Sequence, residues 1–165
     1  MTAGRGLARH PRPPHRNFTA LREEEVPTKG GLVVSEDDAV DPCRGPEKFD
    51  ARYFIDRYGV TPSKADHDTL VRMIEDLLRE GLQTKVEPFP ETDREFSMIL
   101  DRLRRLSADQ LAEKLVESGW KLTPHGEDRM RCQECMYFLV HRRWCDLPEL
   151  NLPAEPEWYC RLWRI

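Results

Sequence analysis

No apolar run in this chain approaches the length of a bilayer span, and the N-terminus lacks the hydrophobic core of about 7–15 residues that a secretion signal needs. The expected location is the cytoplasm. Positive charge is not in excess either: 26 Lys and Arg stand against 30 Asp and Glu, for a formal charge of −4. A strongly basic face is the usual electrostatic mark of nucleic-acid binding, so nucleic acid is a disfavoured partner. Catalytic signatures are missing too. The chain has no glycine-rich phosphate loop, no G-x-S-x-G and no H-E-x-x-H, which points to a carrier or accessory protein more than to a catalyst. No repeat is visible at periods of about 20–50 residues. Core material is limited, at 39% hydrophobic against 34% charged, enough for one modest domain and a tail.

Residues 1–45 place Arg5, Arg9, Arg12 and Arg16 among prolines, then Glu23 to Glu25, Gly30-Gly31 and the acidic Glu36 to Asp38. That composition buries too little apolar surface to offset the entropy of ordering it, so a disordered tail is expected. Composition changes near Phe49. Phe49, Tyr53, Phe54 and Tyr58 fall near helical spacing with Gly59 after them, which predicts a short first helix. A second helix is expected to open at Thr61-Pro62 or Ser63, bury Leu70, Val71, Ile74, Leu77 and Leu78, and stop at Gly81. Val86 to Pro90 is bracketed by prolines and cannot continue it.

Thr92-Asp-Arg-Glu95 has the capping-box form, in which side chains at both ends satisfy unpaired backbone N–H groups. Ser107-Ala-Asp-Gln110 has the same form, ahead of Leu111, Ala112, Leu115 and Val116 and then Gly119. The fold class expected is therefore α-rich: a small helical bundle over residues 46–118. A β-hairpin across Trp120 to Arg131 would follow, turning at His125-Gly126 and delivering the first cysteines. A winged helix is disfavoured, because no basic recognition helix lies between this helix and Gly119-Trp120.

The chemistry sits in residues 119–165. Cys132, Cys135, Cys145 and Cys160 form a C-x2-C-x9-C-x14-C pattern threaded with Tyr137, Phe138, Trp144, Trp158, Tyr159 and Trp163. Two residues between thiols let the chain turn and point both sulfurs inward, as one metal centre requires. Cys43 is the fifth cysteine, and an odd count in a reducing compartment argues for ligation over disulfides. Structural zinc usually takes two close pairs; here Cys145 and Cys160 arrive singly, which a four-thiolate cluster accepts. The expected cofactor is a 4Fe-4S cluster on these four cysteines, with Zn2+ as the alternative. His141 and His125 are the remaining imidazole candidates. Arg131, Arg142, Arg143, Arg161 and Arg164 would either offset cluster charge or face an acidic partner.

The pattern is loosely similar to that of high-potential iron–sulfur proteins and of small cluster-bearing subunits that combine one close Cys pair with two distant cysteines. The likeness spans residues 132–160 only. It implies an electron carrier, or an accessory subunit docking on a redox enzyme or assembly complex. The rival expectation is a zinc-stabilised interaction module or regulator with no redox role.

Overall fold

The computed structural model describes residues 45–165. Cys43 and the tail expected over residues 1–45 lie outside them, apart from Gly45. Among the described residues four helices lead, and a small antiparallel sheet follows near the C-terminus. α1 (Ala51–Tyr58) is capped by the Asp50 carboxylate, which accepts from Tyr53 N at 3.0 Å, and ends on Gly59 in the left-handed region. A 3-10 turn at Pro62–Lys64 precedes α2 (His67–Arg79). The expected start at Thr61 to Ser63 is thus corrected. Asp66 is the cap, accepting from Thr69 N at 2.8 Å, because the turn built on Pro62 ends in extended backbone at Ala65.

α3 (Asp93–Leu103) has the full capping box: Thr92 Oγ1 accepts from Glu95 N at 3.2 Å, and Glu95 accepts from Thr92 N at 3.0 Å. α4 (Leu111–Ser118) has only half of one. Gln110 Oε1 accepts from Ser107 N at 3.0 Å, but Gln110 N donates to the Ser107 carbonyl, not to its hydroxyl, and Gln110 itself is the N-cap. A turn at Ser107 has taken the amide that a capping box needs free.

Helix faces build the core as periodicity requires. Leu70, Met73, Ile74 and Leu77 of α2, Ile99 and Leu103 of α3, and Leu111, Ala112 and Leu115 of α4 are buried together. Each fully buried leucine contributes on the order of 1.5–3 kcal/mol. The same cluster continues without a break into Trp120, Cys132, Phe138, Cys145, Leu152, Trp158 and Cys160. Trp120 is the joint. Wholly buried, it donates its backbone N–H to Leu115 O at 3.1 Å, accepts from Thr84 Oγ1 at 2.9 Å, and meets Trp158 edge to face.

The sheet is short: β1 (Phe138–Leu139), β2 (Trp144–Cys145) and β3 (Leu152–Pro153), in that order and antiparallel throughout. The hairpin expected across Trp120 to Arg131 reduces to a single bridge between His125 and Met130. Lys121 pairs instead with Tyr159, each N–H donating to the other's carbonyl at 2.8 and 3.0 Å. A distant segment has won that edge, and the local pairing stops. Among the described residues no helix is long and apolar enough to cross a membrane.

Candidate metal centre

Three backbone segments meet where the four cysteines lie. Cys132–Glu134 form a 3-10 turn closed by Cys135 N donating to Cys132 O at 2.9 Å, which holds the close pair on one bend. The C-terminal segment runs beside it: Cys132 N donates to Trp158 O at 2.6 Å, and Met136 N donates to Arg164 O at 2.8 Å. Cys160 lies between those two attachment points. Across the β1–β2 ladder Phe138 faces Cys145, while Phe138 N donates to Cys135 O at 3.0 Å, so the third cysteine stands beside the pair. The four-residue turn that makes this possible, Val140 to Arg143, places Arg143 at φ 49°, a conformation that non-glycine residues adopt uncommonly.

Three of the thiols are buried, and Cys135 alone retains intermediate exposure. Burial pushes the Cys132 thiol far up from its ordinary value, and the Cys145 and Cys135 thiols beside it add to the rise. Burial likewise pushes Cys145 up to about 12, opposed by a backbone N–H from Leu147 that favours the thiolate. Cys160 is raised too, by burial and then by Cys145, Cys132 and Cys135, with the Leu162 N–H opposing. The sulfurs are therefore electrostatic neighbours, and the two cysteines that arrive singly each have the N–H two residues on turned to sulfur. A buried thiolate needs such compensation from a cation or from N–H dipoles.

A tetrahedral zinc with Zn–S near 2.3 Å draws its sulfurs to about 3.8 Å from one another. Among the described residues, no group of three or more His, Cys, Asp or Glu side chains is arranged to hold a single metal ion. In kind and number, four thiols match what a 4Fe-4S cluster takes.

Neither histidine candidate joins the cysteines. His141 is exposed, while His125 places Nε2 2.7 Å from Glu87 and stacks on Tyr159. Four of the five arginines are committed to the fold. Arg131 pairs with Glu134 and Glu157 at 3.1 and 2.7 Å, and Arg143 pairs with Glu155. Arg164 lies over the rings of Phe89 and Phe96 and donates to Pro90 O. Arg161, buried, donates through two nitrogens to Glu117 O at 3.1 and 2.7 Å, and its own N–H reaches Ser118 O. It bolts the Cys160 segment to the end of α4, a role that sequence reasoning missed, since nothing in a lone Arg beside a Cys signals burial. Trp163 donates Nε1–H to Arg131 O at 2.9 Å and closes the segment over the first cysteine turn.

The arrangement defines a class: a helical protein with a C-terminal cluster of four thiols. Compared with known proteins, the chain matches no family model, no curated protein and no solved structure.

Proposed function

We propose that the chain is a small iron–sulfur protein in which Cys132, Cys135, Cys145 and Cys160 hold one 4Fe-4S cluster, serving as an electron carrier or as an accessory subunit that docks on a redox enzyme. The observation that carries this reading is the convergence of three chain segments that makes each buried thiol an electrostatic neighbour of the others. When bound, the cluster supplies one-electron chemistry. The chain's own groups do the rest. The thiols give up their protons and ligate. The Leu147 and Leu162 N–H groups favour negative sulfur, and burial keeps water from Cys132, Cys145 and Cys160. Cys135 is the open corner, where a redox partner comes nearest.

Optical spectra of anaerobically purified protein test this reading. A brown protein, absorbing broadly near about 400 nm and bleached by dithionite, is expected. Serine at any one of the four cysteines should abolish the colour, while Cys43→Ser should not. Colourless protein holding one zinc would replace the reading with the structural-zinc alternative, and equal loss at Cys43 would mean a different ligand set.

A further inference from the structure

Three cations converge on one carboxylate. Lys85, Arg102 and Arg161 each place a nitrogen within ion-pair reach of Glu117, near the end of α4. Lys85 holds Oε1. The other oxygen, Oε2, is buried, with Arg102 Nη1 at 3.6 Å and Arg161 Nη2 at 3.7 Å, too far for either to donate a hydrogen bond to it. Neither guanidinium therefore spends a donor there. Because both approach the same oxygen, those two nitrogens stand no farther apart than the two lengths laid end to end.

The two arginines are set differently. The Arg161 side chain is 5% exposed; its Nε and Nη2 donate to the Glu117 carbonyl, while Nη1 makes no hydrogen bond among the described residues yet touches solvent. Arg102, in the last turn of α3, is half exposed and makes no side-chain hydrogen bond among the described residues. Lys85, Arg102 and Arg161 all line a cleft of about 330 Å³ whose walls are mostly apolar, Phe89, Pro90 and Met98 among them. That volume is at the lower end of the range of small-molecule sites. Two carboxylates also line the cleft, and both are already held. Glu87 meets His125 Nε2 at 2.7 Å and accepts from Phe89 N at 3.0 Å, while Glu95 accepts from Glu91 N and Thr92 N at the start of α3. Glu95 lies two turns, about 10 Å, along α3 from Arg102. On that helix the cationic end of the cleft is the Arg102 end.

We propose that this cleft binds a small organic phosphate monoester, its phosphate on Arg102 and the unbonded Nη1 of Arg161 and its apolar body against Phe89, Pro90 and Met98. Three cations around one carboxylate leave two positive charges over, which matches the nearly two negative charges of a monoester above its second pKa of about 6. Guanidinium forks suit phosphate because paired N–H groups meet paired oxygens. The apolar wall favours a monoester over inorganic phosphate, which has nothing to lay against it. The proposal does not rest on the cluster.

Isothermal titration of the full chain with phenyl phosphate as probe tests it, with inorganic phosphate as the comparison. Saturable phenyl phosphate binding with Kd in the millimolar range or tighter is expected, at least about tenfold weaker for inorganic phosphate and at least about tenfold weaker in Arg102→Gln. Arg161 is left intact, because it ties the Cys160 segment to α4. If Arg102→Gln does not fold, the wild-type chain answers alone: phenyl phosphate should shield Arg102 from butanedione, read by peptide mass spectrometry. Absence of saturable phenyl phosphate binding, undiminished binding by a folded Arg102→Gln, an unshielded Arg102, or inorganic phosphate binding as tightly as the monoester would each overturn the proposal.

Discussion

Raising the pH of the metal-free, reduced protein from about 8.5 to about 10 should cost it a substantial part of its stability. Cys132, Cys145 and Cys160 keep their protons in the fold because burial holds their pKa values well above the ordinary thiol value near 9, that of Cys145 at about 12. In the unfolded chain the same thiols ionise through this range. A raised folded pKa on an acid leaves stability intact below the unfolded value and removes it as pH climbs towards the folded one. Each pH unit in that window takes about 1.4 kcal/mol per group once the unfolded thiol is fully ionised. Integrated from 8.5 to 10, each thiol removes about 1.2 kcal/mol. Lys114, whose amine is pushed down by burial, works in the opposite direction and offsets part of the three-thiol sum. The thiols' share of the fall, less that offset, is about 2–4 kcal/mol, and the raised Tyr53, Tyr58 and Tyr159 add to it near pH 10, against total stabilities of about 5–15 kcal/mol for domains of this kind. Urea unfolding followed by circular dichroism at the two pH values measures it directly. Protein loaded with metal should not show the thiols' share of the fall, because its thiolates are already ionised. A metal-free protein whose unfolding free energy holds within about 1 kcal/mol would refute the burial argument, and an equal fall in the loaded protein would refute the assignment of these thiols as ligands.

Other perturbations follow from the same geometry. Gly119→Ala should destabilise by about 3 kcal/mol or more in chemical unfolding, because a Cβ there stands 2.4 Å from Lys85 O as well as at φ 64°. Gly59→Ala, with nothing within 4 Å, should cost only the left-handed backbone term of about 1–2 kcal/mol. Thr92→Ala breaks the capping box and should lower stability by about 1 kcal/mol in the same assay. Arg161→Met leaves the Glu117 carbonyl without its two donors and should cost about 3 kcal/mol by calorimetry, loosening the Cys160 segment before the helices. Loading with iron or zinc near neutral pH should release at least the three protons of Cys132, Cys145 and Cys160, measured with an indicator dye in weakly buffered solution.

Local signals carried the helices, and non-local ones carried the site. Asp50, Thr92, Gly59 and Gly119 act within one turn of their own position, so reading α1, α3 and the end of α4 needs only neighbours in the chain. The Ser107–Gln110 repeat of the capping box fails because the same four residues also make a closed turn, and pattern alone does not separate the two. The hairpin expected after Trp120 fails for a different reason. Its edge is claimed by Tyr159, nearly forty residues away, a competition invisible in a local window. Cys spacing located the four thiols but not their unequal exposure, which depends on how the C-terminal segment returns to Cys132 and Met136 through distant backbone hydrogen bonds.

In the proposed protein Cys132, Cys135, Cys145 and Cys160 share one inorganic cluster. Iron and acid-labile sulfide, determined per chain on protein expressed and purified without oxygen, test that most directly. About four of each are expected, falling towards zero in Cys160→Ser. A wild-type chain that carries neither iron nor sulfide after anaerobic reconstitution would contradict it.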